Sequence, residues 1–324
     1  MRPHRRQFLA TAVASSACAL AGPLARASNG QVIRIVVGFT AGGAVDVVAR
    51  ALAEGMRASG YTAVVENKAG ASGQLASDAV AAVPADGATL LFTPATSLTL
   101  YPHTAKDLRT QVKDFIALGS ACEFDFGMAV AQSCPARTLK DFLAVAKRDS
   151  RFGAYGTPGT GTAMHFLGAM LAKASGVPLT HIPYKGGSAA MTDAIGGTVP
   201  SLITTLPNLV PAHESGKLRI LASTADKRAP DLPEVPTFAE LGFPGLSITD
   251  YFAVFARTGT PPDASAKLSA AVAASATRPA FIATLQKLGY RPNDISVDAL
   301  RARIARDQAR WASIVKSSGY TRDA

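Results

Sequence analysis

The sequence predicts an α/β fold made of two units, in each of which strands alternate with helices. The first unit opens with a continuous aliphatic run over residues 32–38, which is typical of a strand buried on both faces. A stretch with helical spacing of apolar residues follows over 44–59. The same alternation starts again after Phe126, so one plan covers most of the chain.

The rest of the first unit keeps to this alternation. Residues 63–66 and 88–93 predict the second and third strands, and a helix is expected between them at 74–83. A βαβαβ series of this kind implies a parallel sheet with right-handed crossovers.

The second unit contains more elements. Helices are expected over 138–148, 162–175 and 189–195; Thr138 and Asp141 form a capping-box pattern at the first, and Gly176 ends the second. Strands are predicted over 126–131, 152–155, 179–182, 199–205, 218–223 and 250–256. Residues 227–245 are rich in proline and predict a long surface connection.

Three final helices, over 262–276, 279–288 and 297–317, lack a sheet of their own. They are easiest to place around the first sheet, which predicts a discontinuous lobe 1 of residues 28–125 and 226–324. Residues 126–225 then form an inserted lobe 2, with two strands crossing between the lobes. A cleft between the lobes follows, and such clefts are common ligand sites.

Residues 1–27 predict an export signal. Arg5 and Arg6 precede an uncharged stretch of small and apolar residues, and Ala25-Arg26-Ala27 is a small-x-small cleavage signal. The paired arginines fit a twin-arginine signal, with a Sec signal as the alternative. The mature chain is therefore expected in the periplasm of a Gram-negative cell.

Charge and composition exclude other classes of protein. The formal charge is +10, but without the leader 29 basic and 23 acidic residues are left, scattered and without basic–aromatic runs, so nucleic-acid binding has little support. With 48% hydrophobic and 17% charged residues, the chain is not intrinsically disordered. Cys122 and Cys134 flank a predicted strand, which favours two buried thiols over a disulfide.

Four strand-to-helix junctions, at residues 40–46, 67–74, 156–162 and 183–188, are rich in glycine and hydroxyl side chains. In parallel α/β sheets such loops gather at the carboxyl edge of the strands, where ligands bind. The first N–H groups of each helix are unpaired and carry a partial positive charge. The pattern predicts an anion site built from backbone N–H groups, although each glycine alone is also compatible with a tight turn.

Other chemistries lack their motifs. The sequence has no phosphate loop, no G-x-S-x-G elbow and no i,i+4 histidine pair, so we expect no cofactor and no metal. An exported hydrolase using Ser72 or Thr157 is the enzymatic alternative, although no sequence-adjacent His offers a base. Asp46 can face a ligand or pair with Arg50, and His165 is expected to order a loop rather than catalyse.

The glycine-rich junctions also carry a family resemblance. The stretches IRIVVGFTAGGAVDVVAR (33–50), VVENKAGASGQ (64–74), YGTPGTGTAMH (155–165), IPYKGGSAAMTDAIGG (182–197) and RTGTPPD (257–263) follow one another along nearly the whole mature chain. Together they resemble the extracytoplasmic solute receptors of the tripartite tricarboxylate transporter family, also called Bug receptors. The resemblance implies a two-lobed type II periplasmic-binding-protein fold, each lobe a mostly parallel sheet flanked by helices, with the ligand cleft between the lobes.

The resemblance further implies that backbone amides of the first lobe hold a ligand carboxylate. Thr204 and Thr205 stand where many members carry Asp, and Tyr251 stands where an aromatic residue, often Trp, is usual. From these matches and the junctions above, the ligand-binding positions are expected to be Thr40, Ala41, Gly42, Gly43, Asp46, Ala71, Ser72, Gly73, Gln74, Thr93, Thr157, Gly159, Thr160, Gly161, Thr162, Tyr184, Lys185, Thr205 and Tyr251.

The expected function is that of a non-enzymatic receptor. It would capture a small organic carboxylate, close its lobes around it, and pass it to membrane transporter subunits encoded elsewhere. It is expected to work as a monomer and without a cofactor. A binding protein that signals to a sensor kinase is the other non-enzymatic alternative.

Overall fold

The computed structural model describes residues 31–106, 108–318 and 320; the predicted export signal at 1–27 lies outside this range. Within it the strands are β1 (Gln31–Val37), β2 (Tyr61–Asn67), β3 (Thr89–Pro94), β4 (Phe115–Ala131), β5 (Ala154–Thr157), β6 (Thr180–Pro183), β7 (Ser201–Thr205), β8 (Leu218–Ser223), β9 (Thr249–Arg257) and β10 (Arg291–Pro292). Hydrogen bonding links eight of them in the order β2-β1-β3-β9-β4-β7-β5-β6, while β8 and β10 also pair with β4.

The helices pack against these strands. They are α1 (Ala44–Met56), α2 (Gln74–Ala81), α3 (Thr96–Thr99), α4 (Leu139–Arg148), α5 (Ala163–Ser175), α6 (Gly187–Ile195), α7 (Leu206–Glu214), α8 (Pro262–Ala276), α9 (Pro279–Lys287) and α10 (Val297–Ser318). The predicted ends of α4 and α5 are confirmed: Thr138 and Asp141 form a reciprocal capping box, and Gly176 is left-handed. Trp311 of α10 is buried in the core.

Strand β4 joins the two lobes. Its residues 115–125 pair with β9, and residues 126–131 pair with β7 and β8. The sequence pattern predicts only the second half, because Ser120, Glu123 and Asp125 interrupt the apolar run of the first. These three side chains bond Asn293, Arg303 and Arg291, which are distant in sequence.

The sheets are mixed, which corrects the expectation of mostly parallel strands. The outer pairs β1–β2, β1–β3, β5–β6 and β5–β7 are parallel. The central strands β4 and β9 run antiparallel to their neighbours. The sequence predicts a second strand that crosses between the lobes. In the structure the chain returns through residues 224–248, which connect β8 to β9 and contain no named strand.

Two further local features were left open or missed by the sequence. Cys122 and Cys134 are free, buried thiols. Helix α7 was not predicted because it contains Pro207 and Pro211; the first lies at the helix start, where proline costs no hydrogen bond, while the second lies inside the helix. Helix α7 begins directly at the end of β7, and this junction lines the cavity described below.

Candidate functional site

A cavity of about 200 Å³ lies where the carboxyl ends of strands from both lobes meet. The first lobe contributes the turn after β1, the turn after β3 and the start of β9. The second lobe contributes the turns after β5, β6 and β7. This is the sheet edge at which the glycine-rich junctions were expected to gather.

The walls of this cavity are largely apolar. Five aromatic side chains line it: Phe39, Tyr101, Phe124, Phe126 and Phe252. The rings of Phe124 and Phe252 lie 4.4 Å apart, and those of Phe124 and Phe126 lie 5.6 Å apart edge to face. Hydroxyl groups supply much of the polar lining: Thr40, Ser72, Thr96, Thr162, Thr204 and Thr205. Among the described residues, no Lys, Arg or His lines the cavity.

Two helices begin at the cavity without a side-chain cap. Gly43 precedes α1 and Gly186 precedes α6, and neither N-cap position bonds a side chain to the helix. Gly43 and Gly187 line the cavity. The first N–H groups of a helix lack intrahelical partners and carry partial positive charge, so both lobes offer anion-binding groups without a basic side chain.

Asp46 holds the first of these loops in shape. Its carboxylate accepts hydrogen bonds from the Gly42 N–H at 2.8 Å, from Asn67 Nδ2 at 2.8 Å and from Arg50 Nε at 3.0 Å. Burial opposes ionisation of Asp46, but these three partners outweigh it and hold its pKa below the ordinary value. Asp46 therefore shapes the loop over the cavity as a permanent carboxylate.

The loops of the two lobes touch each other. The Ser72 hydroxyl donates to the Thr160 carbonyl at 2.6 Å. A Cβ atom added to Gly159 would lie 2.8 Å from Ser72 Oγ, and one added to Gly186 would lie 3.1 Å from Thr40 Oγ1. Glycine at these two positions permits the close approach of the loops across the cleft.

Ser72 also has an unusual backbone conformation. Ala71 and Ser72 have φ angles of 46° and 53°, in the left-handed region that side chains other than glycine rarely adopt. Their turn lies between β2 and α2, next to the interlobe contact. Such strain persists where surrounding contacts fix the backbone, and it is common at ligand-binding loops.

Contacts with His181 and His165 hold the turn after β5 in place. Thr157 is fully buried, and its Oγ1 lies 2.6 Å from His181 Nε2. Burial lowers the pKa of His181 to about 3, with a further contribution from His165, whose ring stacks on it at 3.9 Å. Thr162 caps α5 by accepting from the His165 N–H. These contacts order the loop at 156–162.

One carboxyl group does face the cavity. Asp250, at the start of β9, lines it and is fully buried; Thr96 Oγ1 donates to its Oδ2 at 2.6 Å and the Tyr251 N–H to its Oδ1 at 2.8 Å. Burial raises the pKa of Asp250 to about 7, and the nearby charge of Asp307 adds to the rise.

The described residues contain neither a candidate metal site nor a single helix that could span a membrane. They contain no group of three or more His, Cys, Asp or Glu side chains able to hold a metal ion. No single described helix is long and apolar enough to cross a membrane, although the bent pair α8 and α9 meets the length and composition test together.

Comparison with known families decides the class of this protein. The model of the tripartite tricarboxylate transporter family receptor matches residues 48–320. The chain belongs to this receptor family.

Three solved structures extend the likeness to nearly the whole chain. The periplasmic binding protein BugD is 32% identical, with a TM-score of 0.85 over 90% of this chain and 99% of BugD. A protein from R. palustris, solved with adipate, is 30% identical, with a TM-score of 0.83 over 89% and 97% of the two chains. MatC from Rhodopseudomonas palustris, with bound malate, is 27% identical, with a TM-score of 0.82 over 88% and 98%. The receptor fold is therefore the two-lobed periplasmic-binding fold.

The structure places the expected ligand-binding positions of this receptor in three groups. The interlobe cavity is lined by Thr40, Gly42, Gly43, Ser72, Gly161, Thr162 and Thr205. A wider cleft that continues from it is lined by Ala71, Gly159, Thr160, Tyr184 and Lys185. Neither space is lined by Ala41, Asp46, Gly73, Gln74, Thr93, Thr157 or Tyr251.

Two residues of the third group bond other parts of the receptor, and a third is buried in a strand. The Gln74 amide donates to Asp78 and Thr110. Thr93 is fully buried within β3, and its hydroxyl has no hydrogen-bond partner among the described residues. The Tyr251 hydroxyl donates to Asp307 of α10 at 3.1 Å. Their side chains support the walls of the site from behind.

Sequence reasoning missed Thr96, Phe124, Asp250 and Phe252. The signal for the last two was the alternation of side chains along a strand. Because Tyr251 packs against α10, its neighbours Asp250 and Phe252 must point to the opposite face, which is the cavity. No sequence signal indicated Thr96, because its role depends on the pairing of β3 with β9.

Proposed function

We propose that this receptor captures a small organic carboxylate in the periplasm and delivers it, as a monomer, to the membrane subunits of a tripartite tricarboxylate-type transporter. The observation that carries the proposal is the pair of uncapped helix starts at Gly43 and Gly187, which face one cavity from opposite lobes. A carboxylate bound there would accept hydrogen bonds from backbone N–H groups.

Closure of the two lobes would couple ligand binding to a change in the shape of the receptor. The Ser72 to Thr160 hydrogen bond and the close approach of Gly186 to Thr40 join loops of the two lobes over the site. A ligand that contacts both lobes binds the closed state better than an open one, and so shifts the population towards closure. Membrane subunits could then distinguish loaded from empty receptor by shape.

The relatives support the chemical class of ligand. The two R. palustris structures are described with adipate and with malate, both of which are carboxylates. The cavity of this receptor has no basic side chain among its described lining residues, so backbone N–H groups and side-chain hydroxyls would supply the attraction for an anion.

A hydrolase on this scaffold has weaker support. Thr157 has a histidine at hydrogen-bond distance, but it lines neither the cavity nor the wider cleft. Ser72 lines both, but its hydroxyl donates to the Thr160 carbonyl rather than to a base. Replacement of Ser72 by Ala is expected to weaken ligand binding about threefold, from loss of one neutral hydrogen bond.

A panel of small molecules tests the proposal. Mono- and dicarboxylates, amines without a carboxylate and sugars are each added to the purified receptor, and the melting temperature is measured. Ligands that bind the folded state raise it by an amount set by RT ln(1 + [L]/Kd). Carboxylates are expected to raise it; a shift with sugars or simple amines alone would overturn the proposal.

Matched glycine variants locate the site. Gly43→Leu and Gly187→Leu each put a side chain at the cavity, one from each lobe, and neither glycine has a positive φ. Both are expected to lower affinity for a carboxylate hit at least tenfold. Gly245→Leu is the control, because its added Cβ meets no atom within 4 Å and it lines neither space. Unchanged affinity in both cavity variants would contradict this location.

The sensory alternative needs a cellular test. Deletion of the gene is expected to abolish uptake of the ligand found in the panel, while transcription of neighbouring genes responds normally. Lost transcription with intact uptake would favour signalling instead.

A further inference from the structure

Among the described residues, the carboxyl group of Asp250 has no positively charged partner. It is 2% exposed and accepts hydrogen bonds from the Thr96 hydroxyl, the Thr96 N–H and the Tyr251 N–H. A carboxylate has about four acceptor positions, so about one is left for a group in the cavity. All of these hydrogen bonds come from neutral donors, and burying a carboxylate without a cation is costly.

The charged groups described around Asp250 do not supply a positive partner for its carboxylate. On the opposite face of β9, the Arg303 guanidinium lies over the Tyr251 ring, 4.1 Å from its centroid, and pairs with Glu123 and Asp307. Asp307 adds negative charge to the surroundings of Asp250. On the neighbouring strand β4, Cys122 is a buried thiol whose pKa is raised by burial, so it is neutral at physiological pH.

Asp250 and the two helix starts line the same cavity. Gly43 and Gly187 present N–H groups suited to an anion, while Asp250 is an acceptor without a cation among the described residues. The aromatic rings of Phe124, Phe126 and Phe252 line the cavity as well. A matching ligand has a carboxylate, an apolar body and a separate positively charged donor.

We propose that Asp250 is a specificity-determining residue that binds an ammonium group, so that the preferred ligand of this receptor is an aminated carboxylate rather than a simple mono- or dicarboxylate. The inference rests on the proposed function, because it assumes that the carboxylate is held at the helix starts. An ammonium group supplies three donors and the charge that the carboxyl group lacks. A second carboxylate would instead meet Asp250 as a like charge.

Four matched series test the proposal. Each keeps one carboxylate and changes the far end among ammonium, methyl and carboxylate. The series are 5-aminopentanoate with hexanoate and adipate, the corresponding chains one carbon shorter and one carbon longer, and 4-(aminomethyl)benzoate with 4-ethylbenzoate and 4-(carboxymethyl)benzoate. Affinity is measured by calorimetry at pH 6 and pH 8. At pH 8 the best aminated member is expected to bind at least tenfold tighter than its two partners.

The pH dependence of ligand affinity gives a second readout, because aminated ligands and their methyl and carboxylate partners should respond in opposite directions. Asp250 becomes ionised between pH 6 and pH 8, since burial raises its pKa to about 7. The affinity for the aminated ligand should therefore rise with pH over this range. The affinity for the methyl and carboxylate partners should fall, because the protonated acid tolerates them better.

Asp250→Asn is the decisive variant, and Asp307→Asn is its matched control. Asn keeps the shape but loses the charge, so the ammonium preference should fall to threefold or less and lose its pH dependence. Asp307 lies behind Tyr251 and does not line the cavity, so its variant should keep the ammonium preference at pH 8. Because the charge of Asp307 adds to the raised pKa of Asp250, the pH dependence should persist in this variant and move to lower pH. Circular dichroism and melting curves confirm that both variants fold.

The outcomes separate this inference from the proposed function. Tighter binding of hexanoate or adipate than of every aminated partner at pH 8 overturns the role of Asp250 and leaves the carboxylate receptor standing. An ammonium preference that Asp250→Asn leaves unchanged also overturns the role of Asp250 and leaves the carboxylate receptor standing. Absence of binding by all aminated carboxylates also overturns it, and absence of binding by every carboxylate overturns both.

Discussion

Two buried aspartates, Asp46 behind the loop that precedes α1 and Asp250 in the cavity lining, have opposite surroundings. Asp46 and Asp250 are each 2% exposed. Asp46 accepts from Arg50, Asn67 and the Gly42 N–H, and its pKa lies below the ordinary value. Among the described residues, Asp250 accepts only from neutral donors; it lies deeper in the protein, and its pKa rises to about 7. Two solvent-shielded aspartates thus have different roles, one as a structural carboxylate and the other as a reactive acceptor.

The comparison shows how a receptor can bind an anion without repelling it. At the Asp46 end, the negative charge is neutralised by Arg50 and turned away from the cavity, and it aligns the loop whose N–H groups face inwards. At the Asp250 end, the charge points into the cavity and stays uncompensated until a ligand arrives. Depth of burial and the presence of a cationic partner together decide which role a carboxylate has.

Removal of Asp46 should have the largest effect on stability. Asp46→Ala leaves the Gly42 N–H and the Asn67 amide without their acceptor, and we expect a loss of about 3 kcal/mol in the free energy of unfolding at pH 7. Chemical denaturation of the ligand-free receptor measures it. Glu54→Ala on the same helix, whose carboxylate is exposed, should change stability by less than about 0.5 kcal/mol. Equal effects of the two substitutions would break the comparison.

Asp250→Asn should act in the opposite direction. The folded pKa of Asp250 is raised above that of the unfolded chain, so ionisation costs stability as pH rises from about 4 to about 7, and the full cost is present above that range. We expect the variant to be more stable than the wild type by about 2 kcal/mol at pH 8 and equal to it at pH 4. A variant that is less stable at pH 8 would show that Asp250 has a positive partner.

Asp46 predicts the reverse pH dependence. Because its folded pKa is lowered, its contribution is present above the unfolded value near 4 and is lost as pH falls below it. The stability difference between wild type and Asp46→Ala should therefore shrink on acidification from pH 5 to pH 3. A difference that stays constant over this interval would contradict an ionic role for Asp46.

Thr96→Val should have a moderate effect confined to ligand binding. It removes the hydroxyl that donates to Asp250 Oδ2, so the pKa of Asp250 should rise further. The affinity for an aminated carboxylate at pH 7 should fall about three- to tenfold, consistent with loss of one charge-assisted hydrogen bond. Calorimetry measures it, and the pH at which affinity is half-maximal should move upwards. A downward movement would be incompatible with this contact.

Tyr251→Phe should have the smallest effect. It removes the hydroxyl that donates to Asp307, on the face of β9 away from the cavity, and should cost about 1 kcal/mol of stability with less than a twofold change in ligand affinity. A larger change in affinity than in stability would place Tyr251 in the site after all. Denaturation and calorimetry on the same sample decide between these results.

The sequence predicted most of the fold because its strands and helices have clear periodicities and end signals. The aliphatic run of β1, the capping box of α4 and Gly176 after α5 are local features that need no tertiary information. The first half of β4 was missed because its polar residues are matched by partners more than 160 residues away in sequence. Local patterns do not contain those partners.

The sequence predicts the part of the site that follows from local patterns and misses the part that depends on tertiary contacts. Glycine-rich junctions identified the loops at Gly43 and Gly161, because strand ends in parallel units share one edge. Tyr251 was chosen over Asp250 because the family pattern marks an aromatic position there, whereas the direction of each side chain follows from the packing of α10. The aromatic floor depends on the contact of β4 with β9, which sequence periodicity does not specify.

The ligand carboxylate is expected at the helix starts and the far end of the ligand at Asp250. A crystal structure of the receptor with the tightest aminated carboxylate tests this placement most directly. We expect the carboxylate oxygens to accept hydrogen bonds from backbone N–H groups beside Gly43 or Gly187, with the ammonium nitrogen within hydrogen-bond distance of Asp250. A carboxylate bound to Lys185 in the wider cleft, or an ammonium group turned away from Asp250, would contradict it.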